Sequence, residues 1–412
     1  MLILNPDPSD MSHPRTWANC RPLRIVGVMS GTSVDAIDAV CVEIQPSLQA
    51  GAPLQVQLLG AKTRAYPPQL RQRILEIAGG EALTLPELNR VDDAIAAAFA
   101  AAIADVAAGR PIDAIGSHGQ TVFHRPPSGD RLGYSLQLGR GEAIAALTGI
   151  PTVSNFRAAD IALGGHGAPL VPRIDALLLR HERERRCIQN IGGIGNVTLL
   201  PPLSSSEAVV GWDTGPGNLP IDLAACRLSG GKLSYDKDGR WAASGTPHHP
   251  LVDEWLEGEF FQQRPPKSTG RELFSAAYLE RCLADCAAAG LSDCDIMATL
   301  TELTAVSIAD SYRRFLPAPP DRVALCGGGI RNPYLVQRLQ DHLDPIPVVT
   351  TAELGLDPDL KEAIAFAVLA YLRLHQIPGN LPSVTGASHG CLLGELHGDK
   401  NRHNVPQLLA LC

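Results

Sequence analysis

Three aspartates stand beside turns built from small residues. Asp35 and Asp38 follow the turn in "VGVMSGTSVDAID", and Asp213 opens "WDTGPGN". Glycine admits positive φ and lets a ligand approach the main chain, and successive free N–H groups in such a turn form a concavity suited to an anion. In the first turn Gly31 and Val34 bracket Thr32 and Ser33, which with Ser30 supply hydroxyl donors. In the second, Gly215 and Gly217 precede "LPIDLAACRL", which reads as a helix whose first N–H groups can also face an anion. A third turn, "CGGGIRNP", places Gly327, Gly328 and Gly329 after an apolar strand, with no side chain to obstruct a flat ligand. Three such turns at strand ends point to a bound nucleotide. No Gly-x-x-x-x-Gly-Lys-Ser/Thr occurs and no Gly-x-Gly-x-x-Gly opens the first helix, so the Walker and dinucleotide patterns are excluded.

The carboxylates fit that chemistry. A polyphosphate brings Mg²⁺, which prefers carboxylates and water. Strand side chains alternate faces, so residues three apart should not share one task unless the turn extends through Asp35. Asp35 is expected by the phosphates or the metal, directly or through water, and Asp38 is expected to be a structural partner. Asp213 follows the apolar strand "AVVGW". A partly desolvated carboxylate there gains proton affinity and suits a general base; the alternative is a hydrogen-bonded turn carboxylate. Cys282, Cys286 and Cys294 are the one cysteine group near enough to share a metal. Their spacing lacks the tight pairing of zinc sites, so they read as reduced core thiols, consistent with a cytoplasmic protein.

The elements that position these residues form a repeated idea. Strands "LRIVGVMS", "AIDAVCVEI" and "PLQVQLLGAKTRA" are followed by helices, the strand "DAIGSHG", a helix at 141–148 and the strand "PTVSNF". Then "CIQNIGG", "VTLLPP" and "AVVGWDTG" are followed by helices, the strand "RVALCGGG", a helix, the strand "PIPVVTT" and the helix "LKEAIAFAVLAYLRLH". Three adjacent strands, then alternating helix and strand, predict a mixed sheet flanked by helices, used twice. The expected architecture is α/β: two lobes with a nucleotide cleft between them. The boundaries fall at an N-terminal arm (1–20), lobe I (21–183, with a C-terminal helical segment 360–390 packing back), lobe II (184–359) and a tail (391–412). The charged run "RHERERR" marks the join as a solvated helix end. The net charge of −8 argues against a nucleic-acid partner. The absence of any long apolar run argues against a membrane span, and the first residues do not read as a signal peptide.

The blocks "GVMSGTSVDAID", "GSHGQTVFH", "NFRAADIALGGHGAPLVP", "QNIGGIGNVT", "WDTGPGN", "PPKSTGRELF", "CGGGIRNP" and "EAIAFAVLA…NLPSVTGAS" occur in this order. This set of blocks resembles the anhydro-N-acetylmuramic acid kinase family, of the actin, sugar-kinase and Hsp70-like ATPase fold. The resemblance implies two ribonuclease-H-like lobes with mixed five-stranded sheets. It implies an ATP- and Mg²⁺-dependent reaction on 1,6-anhydro-N-acetylmuramic acid in peptidoglycan recycling: water opens the 1,6 ether and O6 is phosphorylated, giving N-acetylmuramic acid 6-phosphate and ADP. By matching motifs, Gly31, Thr32, Ser33, Val34, Asp35, Ala36, Ile37 and Asp38 line the ATP phosphates, with Gly215 and Gly217 of the second turn also at the nucleotide. Asp213 becomes the base that activates water, Arg157 and Glu362 become sugar contacts, and Gly327, Gly328 and Gly329 lie by the adenosine. Arg157 is suited to a bidentate pair with the lactyl carboxylate.

His118 and His124 are open between substrate contact and structural hydrogen bonding. "KSTGRELF" reads mainly as a helix cap with Glu272 in the first turn, though Lys267 or Arg271 could reach the cleft. The family usually has glycine where Ala36 stands, aspartate where Asn155 stands and alanine where Gly195 stands. The extra methyl of Ala36 is tolerable unless its φ is positive, and Asn155 lacks a charge beside Arg157. The rival readings are a kinase of another sugar on the same fold and an ATP-driven conformational switch. A homodimer stays open.

Overall fold

The computed structural model describes residues 20–47, 53–129, 131–270 and 272–398. The N-terminal arm as far as residue 19, Arg271 and the tail from residue 399 lie outside the described residues. The chain divides into two compact units. The first ends at Leu179 and resumes at Leu360, and the second is Arg180–Asp359.

The first unit begins with β1 (Leu23–Ser30), β2 (Ala36–Pro46) and β3 (Leu54–Ala65), an antiparallel meander. β4 (Ala114–Arg125) then lies parallel to β1, β5 (Tyr134–Leu138) folds back on β4, and β6 (Thr152–Ser154) runs parallel to β4. In the second unit β7 (Arg186–Ile191), β8 (Ile194–Leu200) and β9 (Val210–Pro216) repeat the meander. β10 (Arg322–Cys326) runs parallel to β7, and β11 (Val348–Thr350) runs parallel to β10. The path β3-β2-β1-β4-β6 therefore has the same order and polarity as β9-β8-β7-β10-β11. The second sheet has the expected five strands. The first has seven, because β5 and β12 (Glu395–His397, antiparallel to β6) are added to the common five.

The two central strands are apolar because both their faces are covered. β1 packs on one side against the helix Leu85–Ala107, through Ile95, Phe99 and Ile103. On the other side lies the helix Lys361–Leu374, buried along nearly its whole length. That helix sits directly on the sheet backbone: a Cβ on Gly27 would fall on the Ala363 carbonyl, and one on Gly116 on the Phe366 carbonyl. In the second unit the helix Asp293–Phe315 places Ala305, Ile308 and Tyr312 against Cys187, Val197, Trp212 and Val323. Capping boxes at Thr84 and at Ser292 start these two long helices. Among the described residues no helix is long and apolar enough to cross a membrane.

Candidate active site

The first turn, between β1 and β2, is held from beneath and open above. The Gly31 carbonyl accepts from Val34 N–H at 3.1 Å and from Gln120 Nε2 at 3.1 Å, and Gln120 Oε1 in turn accepts the Tyr66 hydroxyl at 3.0 Å. Arg71 clasps the other side. Its Nε donates to the Val34 carbonyl at 2.9 Å, and its Nη2 donates to Asp35 Oδ1 at 2.9 Å and to the Ser33 carbonyl at 3.4 Å. Thr32 and Ser33 remain exposed. Val34 is fully buried and carries φ +56°, a left-handed conformation that costs a β-branched residue about 1–3 kcal/mol. The burial of its side chain anchors the strained turn. Ala36 is not among the positive-φ residues, so its extra methyl is tolerated. Asp35 keeps 71% of its side chain exposed beside Arg71. Asp38 accepts the Thr63 hydroxyl across the β2–β3 pair at 2.7 Å.

A second group in the first unit centres on Arg157, at the start of the helix Ala158–Ala162. Its Nη1 donates to the Gly167 carbonyl at 2.7 Å and its Nη2 to His118 Nε2 at 2.9 Å. Its Nε is buried without a hydrogen-bond partner among the described residues. Burial lowers this guanidinium to about 10, against the charges of Glu362 and Asp160. Glu362, in the first turn of the helix Lys361–Leu374, is reached by solvent yet densely surrounded by protein. That crowding raises its carboxyl; Lys361 and Arg157 oppose the shift and Asp38 adds to it. Burial, with the charge of Arg157, holds His118 well below the usual histidine range. His124 is shifted the same way by burial and by the charges of Arg157 and His166.

The segment that carries Arg157 is pinned by a carboxylate that sequence reading missed. Asp160 is fully buried. It accepts from Gly167 N–H at 2.8 Å, from Asn380 Nδ2 at 2.8 Å and from the Thr385 hydroxyl at 2.6 Å. A Cβ on Gly165 would collide with this carboxylate, which accounts for one glycine of "GGHGAP". The signal for Asp160 was present in the unexplained polar residues of "NFRAAD" and "NLPSVTGAS", but no spacing rule links them.

In the second unit Asp213 pairs with Asn196 across β8 and β9, beside an irregularity in the register. Its Oδ2 accepts Thr269 N–H at 2.8 Å and the Ser268 hydroxyl at 3.1 Å, while its own N–H donates to the Lys267 carbonyl at 3.1 Å. Among the described residues no donor reaches Oδ1. Burial raises the Asp213 carboxyl against the pull of those two hydrogen bonds, and Glu272 adds to the rise. One oxygen is fixed and the other is available to a proton. "KSTGRELF" is therefore not the expected helix cap. The following helix, Ala276–Ala288, is capped by Ser275, and Ser268 and Thr269 face the Asp213 carboxylate. Lys267 is buried, donating to the Phe260 carbonyl at 3.1 Å, and burial lowers its ammonium to about 8.

The glycine turns of the second unit are largely internally satisfied. Gly217 N–H and Leu219 N–H donate to the Gly193 carbonyl at 2.9 and 3.1 Å, and Asn218 N–H donates to the Gly192 carbonyl at 2.7 Å. The Leu219 N–H that opens the helix Leu219–Leu228 and the Asn218 N–H before it are thus engaged within the protein, and Pro220 has none to offer. Gly217 is required because a Cβ would fall on the Gly192 carbonyl, and Gly215 adopts φ +145°. Gly327 has φ +82° and presses on Asn190 and Ile191; Gly329 presses on Ile191. Gly328 alone of the triplet has room for a side chain, with Asn218 Nδ2 3.7 Å from an added Cβ. The pair Gly192-Gly193, at the β7–β8 turn, is the partner that sequence reading overlooked.

A family model for anhydro-N-acetylmuramic acid kinase matches residues 23–398. The chain is 58% identical over 388 residues to the anhydro-N-acetylmuramic acid kinase of Trichormus variabilis, covering 92% of this chain and 98% of that protein. It belongs to the anhydro-N-acetylmuramic acid kinase family. The Rippkaea orientalis member is 59% identical over 380 residues, covering 90% of this chain and 98% of its own. Among solved structures, a ROK family glucokinase from Streptomyces griseus in complex with glucose and AMPPNP aligns with 84% of this chain and 98% of its own at 12% identity and a TM-score of 0.37. Membership makes the chain a sugar kinase, and of the two rival readings it removes the conformational switch. Two departures from the family pattern have local explanations. Asn155 sits at φ +55° and donates to Glu395 at 2.7 Å, where an aspartate would oppose a second carboxylate. Gly195 lies where an added Cβ would come 2.8 Å from Thr214 Oγ1. Cys282 and Cys286 pack in an apolar cluster with Leu279 and Met297, and among the described residues no three or more His, Cys, Asp or Glu side chains gather as a metal site.

Proposed function

We propose that the chain uses ATP to phosphorylate 1,6-anhydro-N-acetylmuramic acid at O6 with concerted hydrolysis of the 1,6 bridge. The reading rests on the Asp213 carboxylate, fixed through Oδ2, with no donor on Oδ1 among the described residues and its basicity raised by burial. Asp213 takes a proton from water, whose oxygen bonds to C1 on the face opposite the bridge. The C1–O6 bond breaks and O6 keeps its electron pair. O6 attacks the γ-phosphorus and ADP departs, so one proton transfer drives both events. Arg157 pairs with the lactyl carboxylate, its buried and lowered guanidinium gaining from a desolvated anion. Glu362 holds a sugar hydroxyl.

The exposed donors of Thr32 and Ser33, on a turn clasped by Arg71, receive phosphate oxygens. Phosphoryl transfer asks for such positioning and charge neutralisation more than for covalent help. The residues fit a Mg²⁺ that enters on the triphosphate: Asp35 is exposed, with one oxygen on Arg71, and suits contact through water. Bound there, the ion would neutralise charge on the transferring phosphate.

The test is turnover in labelled water. The reading requires one labelled oxygen at C1 of N-acetylmuramic acid 6-phosphate and none in ADP. Phosphorylation without label at C1, or with another sugar only, overturns it.

A further inference from the structure

We infer that His118 is a positioning residue, a neutral hydrogen-bond acceptor that aims the Arg157 guanidinium at the sugar's carboxylate. The inference rests on the sugar-binding role of Arg157 proposed above.

A guanidinium has donors only. The 2.9 Å contact between Arg157 Nη2 and His118 Nε2 therefore requires that Nε2 carry no proton. The neutral imidazole then bears its proton on Nδ1. Burial keeps the ring neutral, and because Nδ1 is buried with no hydrogen-bond partner among the described residues, the Arg157 contact alone sets the tautomer. His118 is 6% exposed. Its ring lies 4.4 Å from that of Phe366, whose ring also packs 5.5 Å from Phe156, the residue before Arg157. The other groups with charge around Arg157 are Glu362 and Asp160, and beyond them His124 and His166.

The guanidinium is thus fixed at two points, His118 and the Gly167 carbonyl, one for each terminal nitrogen. Each terminal nitrogen retains a second N–H, and these together with the unpartnered Nε are the donors left for a carboxylate fork. Without the acceptor at His118, Nη2 is unanchored and the fork can rotate away. His118 thus acts through Arg157 and not on the sugar itself. It sits in β4 two residues before Gln120, which holds the Gly31 carbonyl, and the β1–β4 register shifts between Val28 and Ser30 at this point.

The test compares two near-isosteric replacements, His118→Gln, which retains an acceptor, and His118→Met, which does not. The expected result is a KM for 1,6-anhydro-N-acetylmuramic acid raised about tenfold or more in the Met variant and less than about threefold in the Gln variant, the scale of one hydrogen bond to a charged group. The KM for ATP should stay within about twofold in both. With the anhydro-sugar that lacks the lactyl group, the Met variant should equal the parent. Equal effects of Gln and Met, or a Met defect that persists with the carboxyl-free sugar, overturn the inference. A double variant with Arg157→Ala should be no worse than Arg157→Ala alone; additive defects overturn it. If Arg157→Ala itself leaves the sugar KM unchanged, the Arg157 reading fails instead. Nitrogen chemical shifts of the parent enzyme give a measurement independent of folding. An Nε2-protonated His118 overturns the inference; a bare Nε2 supports it.

Discussion

The β1–β2 and β7–β8 hairpins occupy the same place in two sheets of identical strand order, and they differ in where their polar groups point. In the first unit the turn runs through five residues, Gly31 to Asp35, and is gripped from the side by Arg71 and Gln120, with Thr32 and Ser33 exposed. In the second it is reduced to Gly192 and Gly193, whose carbonyls receive the N–H groups of Gly217, Asn218 and Leu219. A duplicated scaffold has been specialised: one hairpin offers donors outward, and the other locks two turns together near the strand that carries Asp213. Three glycine turns that look alike in sequence therefore do different jobs.

The contrast can be broken at several points. Asp213→Asn should lower kcat by about a hundredfold or more, the range of a lost general base, with nucleotide affinity retained in calorimetry. Because burial raises the Asp213 carboxyl, the acid limb of kcat in the parent should lie above the ordinary aspartate range, with activity increasing as pH rises through it. A normal rate for the Asn variant would return Asp213 to a structural role. Next in size is Gly217→Ala, which drives a Cβ into the Gly192 carbonyl. It should cost about 3 kcal/mol in denaturant unfolding. Gly31→Ala meets nothing nearer than 3.8 Å. It should change stability by less than about 0.5 kcal/mol while raising the KM for ATP. Equal stability losses at the two positions would erase the distinction between locked and open turns.

Arg71→Ala should raise the KM for ATP several-fold by freeing the Ser33 and Val34 carbonyls. The loss of its exposed pair with Asp35 should cost no more than about 1 kcal/mol in thermal unfolding. The smallest effect is expected for Asn155→Asp, which places a carboxylate against Glu395. It should destabilise the protein by less than about 1 kcal/mol at neutral pH.

Much of this was written in local pattern. The alternation of β2 and β3, the apolar runs of β1 and β7 and the helix 141–148 all read from periodicity, and so did the repeated order of strands. β12 did not, because Glu-Leu-His is too short to carry a period. "KSTGRELF" misled for a definite reason. Ser-Thr-Gly with a following glutamate imitates a helix cap, but a carboxylate from β9 captures the Thr269 N–H that a cap would use. The desolvation of Asp213 was visible from its place after an apolar strand, whereas the donors that orient it lie 55 and 56 residues further on. Arg157 was reached through resemblance, and its holder His118 is separated from it by 39 residues. Side chains that organise other side chains across such distances leave no spacing signature.

The Asp160 clasp has a bearing on how the enzyme is made. Its two side-chain donors, Asn380 and Thr385, are 220 and 225 residues away, beyond the entire second unit. A nascent chain that has completed only its first β-sheet strands would hold a buried anion with neither of them. The Arg157 loop can settle only after the ribosome has passed Thr385, so a prematurely terminated fragment would lack an ordered Arg157 loop.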